Sequence, residues 1–143
     1  MTFDPAKQLV DGAEILDPVL SPHGFVFTPG ATGKGSGGHF ASGSYRRDDR
    51  VLELHYRWGL GAVLYRIGDA ELHHNMYMKL LGVATQSEFM RSALDKTLDG
   101  FTRLKADLER FAGDFLSGDG NQFLELARRF KDDPGMFSGF KAI

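Results

Sequence analysis

Glu53, His55 and Arg57 alternate with Leu52, Leu54, Tyr56 and Trp58, the period of two that marks a strand with one buried and one polar face. On the polar side, His55 has the chemistry of a general base. Glu53 could orient it or act as an acid, and Arg57 could hold an anionic group. Two neighbouring runs extend that face. If Asp48-Asp49 form a two-residue hairpin loop, Tyr45, Gly43 and Ala41 stand opposite Leu52, Leu54 and Tyr56. If Gly59-Leu60 form the next loop, Val63, Tyr65 and Ile67 stand opposite Tyr56, Leu54 and Leu52. The polar rows are then Ser44, Glu53 and Arg66; Ser42, His55 and Leu64; and Phe40, Arg57 and Ala62. This makes His55 and Glu53 the candidate catalytic residues, and Arg57, Arg66, Ser42 and Ser44 the candidate ligand-binding ones. Glu53 and Arg66 form a cross-strand charge pair. A solvated sheet face with no activity displays the same alternation.

Glu71, His73 and His74 form a second cluster. Adjacent histidines on a helix point about 100° apart, whereas zinc helices place His at i and i+4, and position 78 is Met78. No metal site is expected, and one of the two histidines should face solvent while the other packs beside Met76 or Tyr77. His23, in a turn, and His39, at a strand start, are read as structural.

The Gly-rich stretch from Gly30 to Gly38 departs from the phosphate-loop patterns. Thr28 stands where the first Gly of a Walker A loop belongs, and Gly35 where Ser or Thr should follow Lys34. Gly33, Gly35 and Gly38 match G-x-G-x-x-G, but a strand follows where a dinucleotide fold needs a helix. A mobile hairpin loop, or a lid over the polar face, remains.

With 143 residues the chain suits one domain, expected over residues 1–133, with an apolar tail at 134–143 that is docked or flexible. A net charge of −2 gives no electrostatic footprint for nucleic acid, and Arg46-Arg47-Asp48-Asp49-Arg50 nearly cancels, as in a solvated turn. No run is apolar enough to span a membrane, so a cytoplasmic location is expected and no membrane partner. The absence of Cys excludes disulfides and thiolate chemistry, and no cofactor motif is present.

The elements that must position these residues follow from periodicity. Asp4-Pro5 starts a helix carrying Leu9, Ala13, Leu16 and Leu20, which Pro18 kinks or restarts and Pro22 with Gly24 ends. Phe25 to Thr28 reads as an edge strand. After the meander, Leu72 to Leu81 reads as a helix closed by Gly82. Ser87 caps a short helix with Phe89, Met90, Ala93 and Leu94, or that stretch is an ordered loop. Leu98, Phe101, Leu104, Leu108, Phe111 and Phe115 form one apolar helix stripe, with Arg103, Lys105, Asp107, Glu109 and Arg110 largely opposite. A last helix carries Phe123, Leu124, Leu126, Ala127 and Phe130. The expected fold is α+β: an N-terminal helix, a four-stranded antiparallel meander, and three or four C-terminal helices on one sheet face.

The helix running into His23-Gly24-Phe25, the Arg-Asp-Asp-Arg turn, the Leu52-Glu53-Leu54-His55 run and the Phe-rich helical end resemble small uncharacterised bacterial α+β domains. Some of these are presumed immunity proteins. The likeness covers about the first 80 residues and implies binding to another protein rather than catalysis. Three readings follow: a protein-interaction module, immunity-like or homodimeric; a small-molecule protein taking an anionic ligand on the polar sheet face; and a hydrolase built around His55.

Overall fold

The computed structural model describes residues 4–35, 38–57, 59–91 and 98–132. Helix α1 (Pro5–Leu20) begins where the sequence places it: the Asp4 carboxylate accepts hydrogen bonds from the Ala6 and Lys7 N–H groups, and Pro5 sits where its missing N–H costs nothing. Pro18 lies inside the helix, followed by a 3-10 turn at Ser21–His23 that closes on Gly24 at φ 88°. Its stripe of Leu9, Ala13, Leu16 and Leu20 is buried.

Five antiparallel strands follow, ordered as in the chain: β1 (Val26–Gly35), β2 (Gly38–Arg47), β3 (Arg50–Tyr56), β4 (Leu60–Ile67) and β5 (Ala70–His73). The expected four-stranded sheet thus gains a fifth strand, which takes the first residues of the helix expected from Leu72. That helix, α2, spans His74–Leu81 and ends on Gly82 at φ 79°. The Gly-rich stretch is strand and not a mobile loop. Gly33, Lys34 and Gly35 pair with Phe40, His39 and Gly38, and only 36–37, outside the described residues, connect the two strands.

The β2–β3 hairpin has the expected register, with Arg47 opposite Arg50 and Tyr45 opposite Leu52, and Asp48 takes a left-handed φ of 53° in the turn. The β3–β4 hairpin differs. Tyr56 pairs with Leu60 and Leu54 with Val63, leaving Gly61 and Ala62 opposite His55 alone. This is a β-bulge, which places Tyr65 opposite Leu52 and not Leu54. The displacement is two residues, an even number, so Val63, Tyr65 and Ile67 keep the core face. The position of Trp58 lies outside the described residues.

After α2, the described residues form 3-10 turns at Ala84–Gln86 and Phe89–Arg91 and the helices α3 (Asp99–Phe111), α4 (Gly113–Leu116) and α5 (Asn121–Asp132). The expected stripe from Leu98 to Phe115 is therefore divided at Ala112 between two helices. Helices α1, α3, α4 and α5 bury their apolar residues with Tyr45, Leu52, Tyr56 and Tyr65 from one face of the sheet in a single cluster. Gly12 lets α1 approach the Phe101 ring of α3 closely. The turn is solvated only in part: Arg46, Asp48 and Asp49 are exposed, but Arg47 donates to the Leu116 carbonyl (3.0 Å) and Arg50 to those of Asp114 (3.2 Å) and Phe115 (2.8 Å). Ala93, Leu94 and the tail at 134–143 lie outside the described residues.

Candidate functional site

On the face of the sheet turned away from this core, one row runs through bulges on both sides. In β1, Gly30 and Ala31 stand opposite Ser42 alone, because Pro29 pairs with Gly43 and Thr32 with Ala41. Ser42 pairs with His55, and His55 faces the Gly61-Ala62 bulge of β4. Bulges bend a strand and re-aim its side chains, and here they flank the histidine singled out by the sequence.

His55 Nε2 lies 2.5 Å from Glu53 Oε2. Arg66 donates from Nη1 to Glu53 Oε1 (2.9 Å) and from Nε to Glu71 Oε1 (2.6 Å). The bulge changes how this pair is made. Arg66 is opposite Val51 and Glu53 is opposite Leu64, so the expected cross-strand pair is a diagonal one. Partial burial works against ionisation of Glu53, but hydrogen bonds from His55 and Arg66 outweigh it and hold the carboxyl below its usual range. Its bond to Glu71, helped by Glu53 and opposed by burial, keeps Arg66 charged even more firmly than usual.

Arg57 belongs to a different environment. Its guanidinium lies 5.8 Å from the centre of the Phe40 ring, and no carboxylate pairs with it among the described residues. With Phe40, His55, Gly61 and Ala62 it lines a hollow of about 230 Å³ at the open end of the hairpin. The expected Phe40–Arg57 neighbourhood is therefore present. The Ser42 hydroxyl is engaged with β1: it accepts from the Ala31 N–H (3.1 Å) and donates to the Ala31 carbonyl (3.4 Å), which satisfies the β1 bulge. Ser44 stands opposite Glu53. The structure supplies His55 with a carboxylate partner, and supplies the reaction with no free hydroxyl from Ser42.

Sequence reasoning missed a second, wholly buried polar group. His74, Ser87 and Asp107 are 1%, 0% and 0% exposed, so every polar atom among them must find a partner inside the protein. Asp107 accepts from His74 Nε2 (2.8 Å), the Ser87 hydroxyl (2.5 Å) and the backbone N–H groups of Glu88 (2.8 Å) and Phe89 (3.2 Å). Tyr65 Oη is 2.7 Å from His74 Nδ1. Burial raises the Tyr65 phenol well above its ordinary range, so it keeps its proton beside the His74 ring. Burial opposes a charge on Asp107, but the bonds from His74, Ser87 and Glu88 prevail and lower its pKa.

These residue types are those of a catalytic triad, yet the wiring is different. Ser87 donates to the aspartate and not to the histidine, and both ring nitrogens are engaged. The group fastens the 84–91 stretch to α3 and β4. The Ser87 hydroxyl also accepts from the Met90 N–H (3.1 Å), so it caps the turn at Phe89–Arg91 as its sequence position suggests. Asp107 is not on the solvent side of α3. A signal was present: it lies three residues after Leu104 and four before Phe111, at the margin of the apolar stripe.

His73 is exposed and His74 buried, which divides the adjacent pair as expected. Among the described residues no group of three or more His, Asp or Glu is arranged to hold a metal ion, and no helix is long and apolar enough to cross a membrane. In comparisons with known proteins, no family model, curated protein or solved structure matches the chain.

Proposed function

We propose that the chain is a protein-interaction module that receives an acidic side chain of its partner in the hollow beside Arg57. The observation that carries this reading is the guanidinium of Arg57, seated against Phe40 beside His55 with no carboxylate of its own among the described residues. The other cation of the face, Arg66, already serves two carboxylates, and a new anion there would have to displace one. A hydrolase around His55 receives less support, because the serine opposite the histidine is committed to the β1 backbone.

The test is a titration with N-acetyl-glutamate amide and, separately, with acetate, followed by NMR on the Arg57 Nε–H and His55 ring signals. The expected result is a saturable shift that Arg57→Ala weakens at least tenfold, with the amino-acid derivative binding more tightly than acetate. Equal binding of both would favour the small-anion reading. No shift at Arg57 with millimolar ligand would remove the proposal.

A further inference from the structure

The hydrogen-bonding edge of β4 is only half covered. β5 pairs with Leu64 to Ile67, and after His73 the chain turns away into α2. Leu60, Gly61, Ala62 and Val63 have β3 on one side and, among the described residues, no strand on the other. In a regular antiparallel strand alternate residues direct both N–H and C=O to the same edge; here the Gly61-Ala62 bulge interrupts that alternation between Leu60 and Val63, and the backbone groups that this stretch turns away from β3 meet no strand among the described residues. A cavity of about 460 Å³ lies along it, bounded by Gly61 to Val63 on one side and by Leu72 and His73 on another.

Gly61 and Ala62 also wall the Arg57 hollow on the outer face. They are small and exposed, and a side chain built at Gly61 would meet nothing closer than the His55 carbonyl at 3.8 Å. A residue seated at the edge could thus reach across the bulge toward Arg57 without obstruction. Four extended residues span about 13 Å, the length of the open stretch.

We infer that the partner contributes an extended acidic segment that adds as a strand to the open edge of β4 at Gly61–Val63, its carboxylate crossing the bulge to Arg57. This rests on the function proposed above and supplies its geometry. Backbone pairing would provide affinity, and the carboxylate the selectivity. The cation is matched by an acidic segment, whereas a basic one would meet Arg57 in repulsion.

The test uses the whole protein and an acetylated, amidated pentapeptide, Thr-Val-Glu-Val-Thr, with a counterpart carrying Lys in place of Glu. The expected result is a saturable shift of the Gly61, Ala62 and Val63 amide signals, slowed hydrogen exchange at alternate positions, and at least tenfold weaker binding of the Lys peptide. Arg57→Ala should weaken the Glu peptide about as much. Ala62→Glu, a change at an exposed position, should weaken it too while leaving the thermal transition in place. If the peptide moves the Arg57 Nε–H signal but no amide of the edge, the added strand is wrong and the acidic-group reading stands. If neither moves, both fall; and if the Lys peptide binds equally well, the role of charge is overturned.

Discussion

A buried carboxylate that accepts four hydrogen bonds stabilises the protein only while it is ionised and surrounded. Asp107 holds His74, Ser87 and two backbone N–H groups at once, and removing it would take the acceptor from a donor on each of them. Asp107→Ala should therefore cost about 3–5 kcal/mol in urea denaturation at neutral pH, far more than an exposed helix substitution. The pH dependence follows from the direction of the shift. Because the folded protein lowers the pKa of Asp107, its contribution is complete above the unfolded value of about 3.9 and disappears as pH falls through the lower folded value. The stability gap between wild type and Asp107→Ala should then narrow in strong acid, and a gap that stayed constant to low pH would contradict the assignment. The polar residues of the sheet face were legible because a period of two separates them from the core. The buried group was not, since it joins residues from β4, α2, the 84–91 turn and α3, whose meeting is set by tertiary packing and leaves no local pattern.

At the level of elements, the crossing of α1 and α3 is where intrinsic propensity and packing give opposite answers. Alanine is favoured over glycine inside a helix by about 1 kcal/mol. A Cβ at Gly12, however, would fall within the Phe101 ring, which is fully buried and has no free space into which to turn. Gly12→Ala should therefore destabilise the protein by about 1–3 kcal/mol, as measured by thermal or chemical unfolding, and Phe101→Leu in the same chain should recover part of that loss. A stabilised Gly12→Ala variant would show that the helices separate without cost. Among the elements themselves, α1 was legible because its cap, its proline and its apolar spacing agree. The first hairpin was legible because its turn residues and alternation agree. The second was not, since a bulge of Gly61 and Ala62 conserves the faces while moving the register, and alternation alone cannot see an even displacement. Similarly, β5 has only four residues and leads directly into α2, so its apolar Leu72 fits either pattern.

On the scale of the whole molecule, the question is what joins the C-terminal helices to the sheet as one cooperative unit. The aromatic residues supply the apolar part, with Tyr65 packed against Phe115 at 5.0 Å and against Tyr77 at 5.0 Å between ring centres. One polar tie, besides the Asp107 group, is the tip of the β2–β3 hairpin, where Arg47 and Arg50 meet three successive carbonyls of α4 at its C-terminal end. A cation suits that end of a helix, and one nitrogen of the buried Arg50 guanidinium, Nη1, donates to two of those carbonyls. Arg50→Ala should consequently cost about 2–4 kcal/mol, because it leaves one buried and one partly buried acceptor without this donor as well as removing the bonds. If sheet and helices fold as a unit, far-ultraviolet and near-ultraviolet circular dichroism should still report one coincident transition, and hydrogen exchange should accelerate across sheet and helices alike. Accelerated exchange confined to residues 113–132, with the sheet protected as before, would instead mean that the C-terminal helices open by themselves and that the arginine tie fastens an otherwise separable part.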